Sequence, residues 1–560
     1  MRLSGLVPLV GAVAIVLAAL SPGVPPVAVR LASVPTYSYA KAIRQAVWVD
    51  TGRHVRVAAD IIRPRELDTT AKIPVIMEAS PYNGCCGRGN QFQKKAYDAA
   101  GNPITFPLFY DNYFVPRGYA VVLVDLAGTN RSQGCVDVGG PSDVRSATSV
   151  IDWLNGRASA YTSVDGGTKA SAYWSDGGVG MIGKSWDGTI AEGVAATGIA
   201  GLKTIVPISA ISDWYDYFWA NGARLDRESP ADLAKSVESG AACQSVGSGA
   251  RDYVANEGKV TASVFTTAGL NDDNVLTINV GRWWQALPTS VPKMLWLSQT
   301  GHVDPFDFRR AAWVAELHRW FDHYLMGIDN GVQHDPVASV ERAPDRWVNY
   351  PSWPIPGTTP TTWRLGGTAS FTDDPTQSDE YWAVGPTSVV PDRLVYSMGP
   401  LRTATTISGT AMVTLTVASS TSDARLSAVL VDDGATTMRD YAASGAGIRT
   451  VQTKSCWGDS TPGDSACYFD TVPNIETVSV DVFDRGWANV GFLAHQQVLT
   501  PGRTYTVTFP LNTTDHTVPA GHTLALIIGG TDGGHIDAPA GRPTLTVNLA
   551  SSSVLLPLAQ

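Results

Sequence analysis

GMIGKSWDGTI, residues 180–190, puts Ser185 between an apolar run and a run of small residues. The run before it, VGMIG (179–183), has the length and composition of a buried strand; TIAEGVAATG (189–198) reads as a helix of small side chains. A serine on a tight strand-to-helix turn needs small neighbours, because the turn is strained and other chain segments approach it closely. Gly183 and Gly188 supply them as G-x-S-x-x-G, a longer spacing than the common G-x-S-x-G. A glycine-flanked serine alone is more often a structural loop residue. The reading therefore turns on what accompanies it.

The surrounding pattern is alternating. PVIMEAS (74–80), YAVVLVDLAG (119–128), KTIVPIS (203–209), TASVFTTAG (261–269) and PKMLWLS (292–298) are short strand-like runs. SDVRSATSVIDWLNGR (142–157) carries Val144, Ala147, Ile151 and Leu154 on one helical stripe. RRAAWVAELHRWFDHYLMG (309–327) sets Trp313, Leu317, Trp320, Phe321 and Tyr324 at helical spacing, with Gly327 as its stop. Strands alternating with helices imply a mostly parallel sheet covered on both faces, an α/β domain over residues 36–345. A Trp/Tyr-rich and then polar helical stretch interrupts it at about 212–260, as an inserted helical cap would. Beyond Pro344 the texture changes to period-two runs rich in Val, Thr, Ser and Gly, such as GTAMVTLTVAS, ARLSAVLVDD, RTYTVTFPLN and HTLALIIGG. That predicts an all-β sandwich of jelly-roll type over 346–560, joined through the proline-rich YPSWPIPGTTPTTW (350–363).

A nucleophilic serine needs a base and an acid that orients the base. TTAGLNDDNV (266–275) places Asp272 just after a strand, and SQTGHVDPF (298–306) places His302 just after the next. Asp273 is the rival acid. Of the nine histidines, His302 alone has this setting: His318 and His323 fall on the polar side of a helix, and His495, His516, His522 and His535 belong to the β region. Ser185, Asp272 and His302, in that order, form a candidate triad.

Composition narrows the partners. The chain has 560 residues, 44% hydrophobic and 16% charged, with 41 basic and 51 acidic residues and a net charge of −10. No Lys/Arg-rich block appears, which argues against nucleic acid. One arginine precedes an uncharged apolar run from Leu6 to Leu20, followed by a Ser/Pro/Gly break. This is a secretory signal pattern over residues 1–30, predicting a secreted protein with no stable membrane span once the signal is removed; an uncleaved anchor is the alternative. Export in turn favours disulfides among Cys85, Cys86, Cys135, Cys243, Cys456 and Cys467. Cys456 and Cys467 bracket a short polar loop and predict a local bridge. A bond within the vicinal pair Cys85–Cys86 should be strained, which offers Cys135 and Cys243 as their partners. The cysteine spacing fits no usual zinc pattern, and no metal or organic cofactor is expected.

MEASPY (77–82), VIDWLNGRASAYTS (150–163), GKSWDG (183–188), ISDWYDYFWANG (211–222), AGLNDDNV (268–275) and RWFDHYLMGIDNGV (319–332) together resemble the bacterial Xaa-Pro dipeptidyl-peptidase family. Its wider relatives include the cocaine esterase and α-amino-acid ester hydrolase groups. The match runs in order over roughly 45–345, and the β-rich remainder is similar to that family's C-terminal domain. The resemblance implies an α/β-hydrolase fold, with Ser185 as nucleophile, Asp272 as triad acid and His302 as base. It also implies that the Tyr82 hydroxyl and the Trp186 N–H form the oxyanion hole. Asp187 departs from the family pattern where an apolar residue is usual, and Asp273 where an aromatic one is.

The implied reaction is acyl transfer that releases X-Pro dipeptides from peptide N-termini. An esterase or acylase on the same scaffold is the alternative, and a non-catalytic β-sandwich binding protein is a weaker one. Trp214, Tyr215, Tyr217, Phe218 and Trp219 are candidates for a proline pocket, although cap-core packing explains most of them. Glu78, Asp213 and Asp216 are candidates for pairing the substrate ammonium. The sequence leaves oligomeric state open.

Overall fold

Twelve strands share one sheet in the computed structural model, which describes residues 32–559 apart from 53, 240, 244–249, 387 and 389. The leader expected over 1–30 lies outside the described residues. In chain order the strands are β1 (Ile43–Asp50), β2 (Arg56–Arg63), β3 (Ile73–Ser80), β4 (Ala120–Asp125), β5 (Ala160–Ser163), β6 (Gly166–Ala170), β7 (Ser175–Lys184), β8 (Leu202–Ile208), β9 (Ser263–Gly269), β10 (Lys293–Ser298), β11 (Ala338–Ala343) and β12 (Arg346–Tyr350). Their spatial order is β12-β11-β10-β9-β8-β7-β3-β4-β2-β1-β5-β6. From β4 to β11 every neighbour pair is parallel, and the pairs outside that block are antiparallel.

The helices that bear on the site are α1 (Pro141–Leu154), α2 (Trp186–Ala195), α3 (Trp214–Phe218), α4 (Pro230–Val237), α5 (Pro305–Phe308) and α6 (Arg310–Met326). Strand alternation divides the core between the two faces of the sheet. On β3, Val75, Met77 and Ala79 pack with Ile151, Trp153, Ile190 and Val194 of α1 and α2. Ile76, between them, packs with Trp313, Leu317, Trp320 and Phe321 of α6. Leu317 and Phe321 are fully buried, each contributing about 1.5–3 kcal/mol by leaving water. Helix α6 stops where its spacing predicts: Gly327 takes φ +69° and its N–H bonds the His323 carbonyl.

Two boundaries differ from the sequence reading. Strand β12 pairs with β11, so the first domain runs to Tyr350 rather than 345 and ends at Pro351, which cannot extend the ladder. The insertion over 212–260 is not mainly helical. It holds the five-residue α3, a tight hairpin of 219–220 on 223–224, the eight-residue α4 and a 3-10 turn at Val254–Lys259. Gly222 in the hairpin and Pro230 opening α4 cut the amphipathic pattern into pieces too short for a longer helix.

The second domain is a β-sandwich. Strands 359–364, 544–559, 405–419 and 504–518 form one sheet, with 368–372 added on 544–559. Strands 393–398, 523–529, 425–439 and 475–489 form the other. Ile407, Val413 and Leu415 of the first sheet meet Leu426, Ala428 and Leu430 of the second. A hairpin, 448–456 with 467–473, reaches back to the first domain, where Tyr468 stacks edge-on to Phe306 with centroids 5.0 Å apart.

The Cys456–Cys467 bridge closes that hairpin as expected. The other pairing corrects the sequence reading: Cys135 bonds Cys243, and Cys85 bonds Cys86. Residues 241–242 pair in parallel with 135–136, which carries Cys243 to Cys135 and anchors the insertion. Cys85 and Cys86 sit in a tight turn where the N–H groups of Cys86 and Gly87 both bond the Tyr82 carbonyl, and they spend their sulfurs on each other.

Candidate active site

Ser185 occupies the turn between β7 and α2 with φ +62° and ψ −128°, a conformation that non-glycine residues rarely hold. The turn is over-determined. The Ser185 N–H bonds the Ile208 carbonyl at 2.8 Å, and the Ser185 carbonyl accepts from both the N–H and the hydroxyl of Thr189. The two flanking glycines are required by contact. A Cβ at Gly183 would lie 2.5 Å from the Asp187 Cβ, and one at Gly188 would lie 2.6 Å from the Gly183 carbonyl oxygen. The longer G-x-S-x-x-G spacing thus does the steric work of an elbow.

Tyr82, Ser185, Asp272 and His302 follow the carboxyl ends of β3, β7, β9 and β10, which is where open α/β sheets assemble sites. His302 Nδ1 lies 2.6 Å from Asp272 Oδ2. The other Asp272 oxygen accepts the N–H groups of Asn274 and Val275 at 3.0 and 2.8 Å, which fixes the carboxylate. With Nδ1 donating to Asp272, Nε2 is the free acceptor, and it is buried with no partner among the described residues. Asp273 turns away: its carboxylate is half exposed and pairs with Arg485 of the β domain at 3.0 Å. Burial lowers the His302 pKa, Asp272 opposes that shift, and Lys184 adds to it.

Tyr82 and Ser185 line the same cavity, and burial together with the Asp187 charge raises the pKa of the Tyr82 hydroxyl, keeping it neutral. The Trp186 N–H stands at the first turn of α2, where helix N–H groups are unpaired and the local potential is positive. Behind the serine, Arg88 is clamped between Glu78 at 2.7 Å and Asp187 at 2.8 Å, all three buried. The acid found where an apolar residue is usual is therefore matched by a cation. Burial still pushes the Asp187 carboxyl well above the usual range, with Glu78 adding to the shift and Arg88 opposing it.

Ser185, Tyr82 and His302 open onto a cavity of about 410 Å³. Its further lining includes Lys184, Asn274, Asp304 and Asp307, the turn from Cys86 to Asn90, and Gly445, Ala446 and Ile448 of the β domain. The β domain also buttresses the histidine loop, since the Gly301 N–H bonds the Ala446 carbonyl at 3.0 Å.

The residues expected to bind substrate are not part of this lining. Glu78 is spent on Arg88. Asp213 caps α3 by accepting the Tyr215 N–H, and both it and Asp216 face Arg282. Trp214 is buried edge-on against Trp186 with centroids 5.4 Å apart. Tyr215 stacks on Phe492 and accepts the Gly222 N–H. Trp219 lines a separate cavity with Arg282 and Trp487. Tyr217 comes nearest, its hydroxyl donating to the side chain of Asn274, which does line the cavity. Arg88, Lys184, Asp304, Asp307 and the 445–448 turn carry no sequence signal that marks them as cavity residues. Asp379, Asp532 and His535 bring their ligand atoms within 4.8 Å of one another, but Arg485 already sits 2.7 Å from Asp379 and supplies the cation there.

The family model for X-Pro dipeptidyl-peptidases (S15 family) matches residues 51–255, and that for their C-terminal non-catalytic domain matches 330–556. A Streptomyces avermitilis protein assigned to the Xaa-Pro dipeptidyl-peptidases is 52% identical over 94% of this chain and 85% of its own. The Xaa-Pro dipeptidyl-peptidase of Lacticaseibacillus casei is 27% identical over 92% of this chain and 77% of its own. Among solved structures, a CocE/NonD family hydrolase from Staphylococcus aureus has the same fold, with a TM-score of 0.65 and 13% identity over 92% of this chain and 94% of its own. An α-amino acid ester hydrolase gives a TM-score of 0.62 with 16% identity over 96% of this chain and all of its own. The chain belongs to the X-Pro dipeptidyl-peptidase (S15) family of serine peptidases.

Proposed function

We propose that the protein releases X-Pro dipeptides from peptide N-termini by acyl transfer through Ser185. The observation that carries this reading is the 2.6 Å contact of His302 Nδ1 with Asp272, which leaves a buried, unpartnered Nε2 on the cavity that holds Ser185. His302 takes the serine proton as Oγ attacks the carbonyl, forming the Oγ–C bond. It then returns that proton to the leaving nitrogen as the C–N bond breaks. Asp272 keeps the imidazole in the correct tautomer and stabilises its charged form. Tyr82 and the Trp186 N–H donate to the developing oxyanion, each worth about 3–4 kcal/mol in comparable sites. Water then attacks the acyl-enzyme by the same route, and the dipeptide leaves.

Export is part of the same proposal. All six cysteines are paired, which supports an oxidising compartment. Incubating the purified protein with an Ala-Pro-Phe-Lys peptide and weighing the products tests the activity. Free Ala-Pro dipeptide supports it; cleavage elsewhere in the peptide, or none, counts against it.

A further inference from the structure

Lys184 ends β7 and directly precedes Ser185. Ile182, two positions earlier, packs into the core on the α6 face, so strand alternation turns Lys184 to the same side. Phe306 of α5 belongs to that core too, and the chain leaving β10 passes there on its way into α5. Lys184 Nζ donates to the His302 carbonyl at 2.8 Å. In the sheet, β8 and β9 stand between β7 and β10, so the bond spans a gap that no backbone pairing closes. Among the described residues it is the only hydrogen bond between the serine turn, 183–188, and the histidine loop, 299–304.

This ammonium is committed to a neutral group. Among the described residues Nζ makes no ion pair and no other hydrogen bond, although Asp304 and Asp307 line the same cavity. The histidine loop is otherwise held by the Gly301 N–H on the Ala446 carbonyl, and the ring by Asp272. Lys184 supplies the remaining tie, from the strand that carries the serine. A like charge close to an imidazole also disfavours its protonated form. Burial lowers the His302 pKa; Asp272 opposes that shift, and Lys184 and then Arg88 add to it. Burial lowers the Lys184 pKa as well, with Arg88 adding to the shift and Asp304, Asp272 and Asp307 opposing it.

We propose that Lys184 is a positioning residue for His302: its ammonium ties the histidine loop to the serine turn and opposes a second positive charge on the imidazole. This rests on the roles given to Ser185 and His302 in the reading above. The base is thereby held in place and neutral until it takes the serine proton. No bond to Lys184 forms or breaks in the reaction; it acts only through His302.

Profiles of kcat/KM against pH test this, with H-Ala-Pro-p-nitroanilide as substrate and wild type, Lys184→Met, Lys184→Gln and Lys184→Arg as enzymes. Lys184→Met removes donor and charge. Its acidic limb should move up by about 0.5 pH unit or more, because one like charge has left the imidazole. Its plateau should fall on the order of 10- to 100-fold, the cost of a base misplaced by about 1 Å. Lys184→Gln, also uncharged, should show the same displaced limb and reads it if the methionine variant does not fold. Lys184→Arg keeps a charged donor, so its limb should stay with wild type and most of the plateau should return. A wild-type limb in the neutral variants overturns the proposal, since a merely structural lysine would lower the plateau without moving the limb. An arginine variant whose limb moves with theirs overturns it equally. If wild type leaves the anilide uncut, the dipeptidyl-peptidase reading fails separately, and the same profiles are taken on p-nitrophenyl acetate, which needs the serine and its base but no proline. Turnover that persists in Ser185→Ala on both substrates removes the site assignment, and this proposal with it.

Discussion

Asp272 Oδ2 meets His302 Nδ1 at 2.6 Å, while the adjacent Asp273 pairs with Arg485 on the other domain. The rival acids are thereby separated by their partners. Asp272→Asn should reduce kcat by on the order of 10⁴-fold, the cost of holding the imidazole in the wrong tautomer. Asp273→Asn removes only a half-exposed ion pair and should change kcat less than threefold. Equal losses in the two variants would show that the assignment is wrong.

Ser185→Ala should remove turnover by on the order of 10⁶-fold without unfolding the protein. A fluorophosphonate probe should label wild type and leave the variant unlabelled. Persistent labelling of Ser185→Ala would move the nucleophile elsewhere.

The elbow predicts a stability cost as well. Gly183→Ala and Gly188→Ala each force a methyl group within 2.5–2.6 Å of fixed neighbours, where the chain must shift. Each should lower unfolding free energy by about 1–3 kcal/mol and reduce activity together with it. Denaturant midpoints unchanged from wild type would mean that the turn is not packed as described.

Burial lowers the His302 pKa beneath the imidazole's ordinary value of 6.5. The proposed base works neutral, so the acidic limb of kcat/KM, which reports the free enzyme, should lie below pH 6.5. The stability sign follows from linkage. Between the folded and unfolded pKa values the unfolded chain binds more protons, so this group's contribution is present above 6.5 and is lost as pH falls through the folded value. A limb centred above 6.5 would contradict the buried setting of His302.

Much of the first domain was legible because its signals are local. A β-branched run, an amphipathic stripe and a terminal glycine specify β3, α1 and α6 within a few residues. The grouping of Ser185, Asp272 and His302 was legible because each of them follows a strand that the sequence itself marks. The cavity wall was not. Asp304 and Asp307 look like ordinary residues of a short helix start, and only the fold brings them opposite Asn90 and Ala446. Trp214 and Tyr215 misled for the opposite reason: an aromatic cluster reads alike whether it lines a pocket or fills a core. The bridge between Cys135 and Cys243 depends on a two-residue strand pairing that no periodicity announces.

On the proposed function, this site hydrolyses the bond after proline at the second position. Comparing kcat/KM for H-Ala-Pro-p-nitroanilide and H-Ala-Ala-p-nitroanilide, with Ser185→Ala as the blank, decides whether it does. Loss of the proline ring should cost about 1–3 kcal/mol, a preference of roughly 10- to 200-fold. Equal rates on the two anilides, with brisk cleavage of simple esters, would contradict the account and make this a general esterase on a dipeptidyl-peptidase scaffold.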